Sequence, residues 1–150
     1  MDTMKKPAPN HSPLIGTWTY RSFVSNPDIS TAFNALELAR ANLRIDDSGM
    51  GELRGLLYGT GWELSVRGSV SYGNPFELRF QARGLVGGET WVYDYVGYLV
   101  RQWPNGIDQV PAIVGTIVRT TPHSDGSGGV APAGYVAQWI AVRQPDSASS

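Results

Sequence analysis

The strongest constraint in this sequence is an alternation of apolar and polar residues with a period of two, held through two consecutive segments. In the first, Trp62, Leu64, Val66, Gly68 and Val70 share one parity, and Glu63, Ser65, Arg67, Ser69 and Ser71 take the other. In the second, Phe76, Leu78, Phe80, Ala82 and Gly84 alternate with Glu77, Arg79, Gln81 and Arg83. Successive side chains of an extended strand point to opposite faces, so each segment reads as a strand with one buried side. Tyr72-Gly73-Asn74-Pro75 supplies turn residues between them. The pair is predicted to form an antiparallel hairpin with Leu64, Val66, Leu78 and Phe80 facing the core.

The same rhythm recurs less cleanly at residues 14–24, 41–46, 51–59, 90–100, 111–121 and 135–143, separated by stretches such as Asp46-Asp47-Ser48-Gly49, Gly87-Gly88 and the loop 122–134. One segment departs from it. Ser30 or Thr31 could cap a short helix running to Ala41, with Ala32, Ala35, Leu36 and Ala39 at helical spacing; the alternative is that residues 36–45 form a longer second strand. Eighteen glycines and ten prolines fit many short strands and tight turns. The expected class is all-β: an antiparallel up-and-down barrel of about eight strands, with a possible short helix between strands one and two. A sandwich would also bury one face per strand, but closure removes exposed edges, and a barrel of this size is either filled or holds one small ligand. The barrel is expected over residues 14–143, as one domain between tails at 1–13 and 144–150.

Twelve basic residues against thirteen acidic ones give a net charge of −1, without a basic stripe, so a nucleic-acid partner lacks its electrostatic footprint. The sequence carries neither an apolar run long enough to span a membrane nor, in residues 1–13, the apolar core of a secretory signal, and the expected location is cytoplasmic. The chain has no cysteine and two histidines, His11 and His123, a poor donor set for a metal; no metal and no cofactor is expected. Asn10-His11-Ser12 matches a glycosylation sequon by spacing alone.

The first strand opens Leu14-Ile15-Gly16-Thr17-Trp18, and the last closes Trp139-Ile140-Ala141-Val142-Arg143. These residues resemble the calycin pattern shared by lipocalins, fatty-acid-binding proteins and avidins. The resemblance implies that Gly16 and Trp18 close the barrel floor and that Arg143 packs across the Trp18 ring, a favourable guanidinium–indole contact. Tyr20 and Val24 stand where avidin-like sequences carry small polar biotin contacts. No lipocalin-type cysteine pair is present, and no basic pair is placed to grip a fatty-acid carboxylate. Small bacterial barrel cyclases share the general shape.

The densest candidate for chemistry is the segment 90–98. If Trp91, Tyr93, Tyr95 and Gly97 face inward, they provide flat walls with hydroxyl tips and a gap for close backbone approach, suited to an aromatic or polyketide-like molecule; Tyr20 and Trp139 join them as candidate ligand contacts. The alternative is ordinary aromatic packing in strands. Asp94 then lies outside, or inside if the register is reversed, where a carboxylate in an apolar cavity could act as general acid or base. His123-Ser124-Asp125 holds the three residue types of a hydrolase triad, but neighbours in a loop cannot align them and no nucleophile elbow surrounds Ser124. Gly126-Ser127-Gly128-Gly129 lacks the Lys-Ser/Thr of a phosphate cradle. Arg101-Gln102-Trp103-Pro104-Asn105-Gly106 reads either as part of a cavity mouth or as a wide hairpin turn.

Three functions follow: a barrel binding one mostly apolar or aromatic small molecule, a cyclase or isomerase acting in such a cavity, or an assembly domain with a filled core. Three strands are apolar on both faces: 91–100, 112–120 and 135–142. Val92, Val96 and Tyr98, Val114 and Val118, and Val136, Ile140 and Val142 would share one outer surface. The expectation is a homo-oligomer, most simply a dimer, burying that surface, unless the 30–41 segment or the N-terminal tail folds over it.

Overall fold

The protein is described by a computed structural model covering residues 13–49 and 51–145. Apart from Pro13, Gln144 and Pro145, the two expected tails lie outside the described residues, as does the Asn10-His11-Ser12 sequon. In chain order the elements are β1 (Gly16–Val24), a 3-10 turn (Phe33–Leu36), β2 (Glu37–Asp46), β3 (Glu52–Gly59), β4 (Trp62–Ser71), β5 (Glu77–Val86), β6 (Glu89–Leu99), β7 (Ala112–Arg119), the two-residue strands β8 (His123–Ser124) and β9 (Val130–Ala131), and β10 (Val136–Arg143). Strands β1 to β7 and β10 close into an antiparallel barrel in sequence order, the last strand pairing back onto the first from Trp18 opposite Arg143 to Val24 opposite Ala137. β8 and β9 form a separate small ribbon in the connection from β7 to β10.

The β4–β5 hairpin has the register its alternation demands, and Leu64, Val66, Leu78 and Phe80 are all buried. The expected helix over 30–41 is corrected to a single 3-10 turn with no side-chain cap, followed at once by a strand. Ser30 caps nothing: its amide and hydroxyl both donate to Asp28 Oδ1, at 3.0 and 2.7 Å. Residues 37–46 satisfy their backbone groups by pairing with β1 on one side and β3 on the other. Helix propensity among alanines is worth a few tenths of a kcal/mol per residue, and two ladders of hydrogen bonds outweigh it. The reading of 36–45 as a longer second strand is the one realised.

Inside, the barrel divides into two halves. In the first, Leu14, Trp18, Leu43, Ile45, Leu53, Val66, Leu78, Ile113 and Ala141 pack together, each almost wholly withdrawn from water. Trp18 Nε1 donates to the Leu14 carbonyl at 2.9 Å, so the largest side chain of this end is satisfied without solvent. Arg143, the cross-strand partner of Trp18, lays its guanidinium against Gly16, where any β-carbon would collide with it and where φ is +136°. Glycine is required there for both reasons.

Across the middle runs a layer of rings. Phe80 and Tyr95 stack at 4.6 Å, Tyr20 and Trp139 stack at 5.9 Å, and Tyr95 and Phe80 both meet Trp139 edge-on. Trp139 fits because β6 has no side chain at Gly97: a β-carbon there would lie 2.6 Å from Trp139 Cζ2. The indole N–H is shared between the carbonyls of Val96 and Thr116, at 3.2 and 3.1 Å.

The outer wall is two-sided in chemistry. β3 to β5 present Glu52, Arg54, Arg67, Glu77, Arg79 and Arg83, with pairs such as Arg79–Glu77 at 3.0 Å. β6, β7 and β10 present Val96, Tyr98, Val114, Val118, Val136 and Ile140, of which Tyr98, Val114 and Val136 are 42%, 40% and 50% exposed. Tyr98, Val114 and Ile140 form one row across the three strands, and Asp94 is the charged residue among the outward positions of this face. Among the described residues no helix is long and apolar enough to cross a membrane.

Candidate ligand cavity

Beyond the ring layer the second half of the barrel is hollow. The space measures about 800 Å³ and is walled by Leu57, Leu64 and Ile117 from the barrel and by Trp62, Trp91, Tyr93 and Tyr135 toward the mouth. It exists because the inward positions facing these large residues are small: Ser22 on β1, Ala39 on β2 and Ala137 on β10. Aliphatic side chains close the same interior positions at the other end, and their absence here leaves room for an occupant.

Strand alternation places Trp91, Tyr93, Tyr95 and Gly97 inward, and the first three line the cavity together with Tyr20. Tyr20 and Tyr95 form its floor, their hydroxyls bonded to each other at 2.8 Å. That bond uses one of the two hydroxyl protons; the other is left for Ser22 or an occupant. Burial dominates the titration of this pair, pushing Tyr20 up to about 12, against which the hydrogen bond from Tyr95 works in the opposite direction. Tyr95 is raised well above its ordinary value for the same reason. Both are therefore neutral hydroxyls at physiological pH.

The remaining sequence-named residues are distributed elsewhere. Trp139 supports the floor from below rather than lining the cavity. Asp94 is outside, exposed and hydrogen-bonded to Gln81 at 3.0 Å, which ends its candidacy as an internal acid or base. Gly16, Trp18 and Arg143 sit at the closed end. The loop bearing Arg101, Gln102 and Trp103 joins the closed-end termini of β6 and β7, so it is no part of the mouth.

At the mouth the structure adds His123, which the sequence offered only as a poor metal donor and an unaligned triad member, and Arg119, which sequence reasoning did not single out. His123 comes in from the β8–β9 ribbon and is buried, its ring stacked on Trp91 at 3.9 Å and 10°. Nε2 lies 2.6 Å from Tyr93 Oη, and Nδ1 lies 2.8 Å from the Ser124 carbonyl. A carbonyl can only accept, so in the neutral ring Nδ1 carries the proton and Nε2 accepts from Tyr93. The ribbon is held over β6 by Ser124 N donating to Glu89 at 2.7 Å and by Thr120, whose amide and hydroxyl both donate to the Val92 carbonyl. Asp125 does not orient the imidazole. Its carboxylate accepts from Ser127 and Gly129 within its own turn, and these bonds hold it below its ordinary value. His123, Ser124 and Asp125 are thus no triad.

Arg119, the last residue of β7, is the second addition. It shares the inward parity of Ile113 and Ile117 and pairs across to Tyr93. Its guanidinium lies 5.0 Å from the Tyr135 ring centre and 5.9 Å from that of Tyr93, with one N–H donated to the Pro132 carbonyl at 3.2 Å. Parity groups Arg119 with Ile113 and Ile117, but on a strand apolar on both faces it does not say which set turns inward, and no local pattern points a loop histidine at a strand tryptophan. Among the described residues no cluster of three or more metal-ligating side chains occurs. Comparison with protein-family models, with curated proteins and with solved structures returns no match to this chain.

Proposed function

We propose that this protein is a binding barrel that takes one mostly apolar, aromatic small molecule into the half-hollow interior. The observation that carries this reading is the cavity itself: about 800 Å³, within the usual range for ligand sites, floored by a tyrosine pair and walled by indole and phenol rings. A domain with a purely structural interior would fill that space, since unfilled volume forfeits packing energy. The glycine, tryptophan and arginine at the closed end support a calycin-like relationship. Native mass spectrometry of the protein as isolated from cells, together with titration by neutral anthracene-2-carboxamide, tests the reading. A stoichiometric bound molecule or saturable one-to-one binding is expected; neither a co-purified molecule nor saturable binding would overturn it.

The Tyr93–His123 pair supports a second reading, catalysis of a cyclisation or isomerisation, because a fixed tautomer with Nε2 facing a phenol is an acid–base arrangement. Molecules extracted from the parent protein and from Tyr93→Phe separate the two. A carrier yields the same compound from both, and an enzyme accumulates a different one in the variant.

For the outer face of β6, β7 and β10 the partner we propose is a second copy of the chain. Two-fold pairing sets a surface against itself, so a face whose outward charge is confined to Asp94 avoids the like-charge contacts that the β3–β5 side would bring. Light scattering after size-exclusion chromatography is expected to give a dimer, converted to monomer by Val114→Lys; a monomeric parent protein refutes it.

A further inference from the structure

Arg119 is a cation without a counter-charge in a cavity otherwise built for apolar contact. Its Nε is buried and has no acceptor. Among the described residues no carboxylate pairs with the guanidinium, while the other charges round the mouth are engaged. Arg40 is paired with Glu37 at 2.5 Å, Glu89 accepts from Ser124, and Asp125 closes its own turn. The two tyrosine rings beside it hold the guanidinium by cation–π attraction without neutralising it. Only half-withdrawn from water, the guanidinium carries a charge without a counter-ion on the cavity wall, and an anion entering the cavity would compensate it.

Resting on the binding-barrel reading above, we infer that the natural ligand is an aromatic or polycyclic acid whose ionised carboxylate, enol or phenol group is taken by Arg119. Its hydrocarbon body then lies between Trp91, Leu64 and Ile117 and reaches the Tyr20–Tyr95 floor. A neutral carbonyl could accept a hydrogen bond from the guanidinium but would leave its charge uncompensated. A small inorganic anion could satisfy the charge but would leave the apolar walls empty. An amphipathic acid does both, and guanidinium geometry suits a planar oxyanion through paired N–H donors.

The test uses two fluorescent probes on one skeleton, anthracene-2-carboxylate and anthracene-2-carboxamide, titrated into the full chain. The carboxylate is expected to bind about tenfold or more tightly than the amide, as charge-assisted hydrogen bonds in a partly dry site do. Arg119→Gln should bring that ratio to about one, and Arg119→Lys, which keeps the charge but not the fork, should restore part of it. Should Arg119→Gln fail to fold, the parent ratio and the lysine variant decide. Equal affinities for the two probes in the parent protein overturn the acidic-ligand inference and leave the binding reading standing. Saturable binding of neither probe, together with no co-purified molecule, removes both.

Discussion

Toward Leu14 and Trp18 every inward position of the barrel meets another side chain, whereas toward Trp91 and Tyr93 the same eight strands enclose empty volume. Both halves follow the same alternation, and both line their interior with apolar residues. They differ in how sizes are matched across the barrel. Leucine, isoleucine and valine face one another around Trp18 at the closed end, while Ser22, Ala39 and Ala137 face large rings at the open end. The lesson is that a ligand site can be made by leaving small residues where large ones would complete the core. On the binding reading proposed above, stability is then concentrated in one half and recognition in the other.

The comparison breaks first, and most visibly, on truncation. Leu78→Ala in the closed half should cost about 3–4 kcal/mol in chemical denaturation, because the residue is wholly buried and its neighbours cannot collapse into the gap. Trp91→Ala at the mouth removes a larger side chain yet should cost about 1–2 kcal/mol, since it is only half-buried beside existing empty space. Equal losses would mean that the two halves are not energetically distinct.

A second difference appears in alkali. Tyr20 carries its proton in the folded state up to about 12, and an unfolded tyrosine releases it near its ordinary value of 10.0. The folded-state value is the raised one, so its contribution is fully present below pH 10 and is lost as pH climbs toward 12, about 2–3 kcal/mol in all. Denaturation midpoints measured from pH 8 to 12 should show that decline, and Tyr20→Phe should lessen it, Tyr95 supplying what remains. A parent protein whose midpoint is level through this window contradicts the buried tyrosine floor.

At the boundary between the halves, Gly97→Ala puts a methyl 2.6 Å from Trp139 Cζ2 and 3.0 Å from Ile113. Overpacking of this kind costs about 1–3 kcal/mol, and the displaced indole should change the tryptophan emission. The smallest effect on stability is expected from Ala137→Phe, which grows into the cavity rather than into a neighbour. It should alter stability by less than about 1 kcal/mol while abolishing binding of the anthracene probes. Unchanged probe affinity would place the bound molecule elsewhere.

Much of this architecture is legible from residue order alone, because strand parity is a local property. The buried set Leu64, Val66, Leu78 and Phe80 follows from alternation; in β6 and β7, apolar on both faces, parity only groups Trp91 with Tyr93, Tyr95 and Gly97 and Arg119 with Ile117, and closure of the barrel turns these sets inward. Where local preference and long-range pairing disagree, local reasoning fails. The alanines between Ser30 and Ala41 favour a helix in isolation, and the open edges of β1 and β3 make most of that segment a strand. His123 is invisible for a related reason: its stacking on Trp91 depends on where the β8–β9 ribbon lands, which no periodicity encodes.

By itself, then, the sequence determined the class, the strand count and, where one face of a strand is polar, which side chains point inward, since each rests on the two-residue repeat of an extended backbone. Tertiary structure alone decided which inward side chains share a level of the barrel. Strand tilt and stagger bring Ser22, Ala39 and Ala137 to one end and Leu43, Leu53, Leu78 and Ile113 to the other, and so make one half of the interior a core and the other half a cavity.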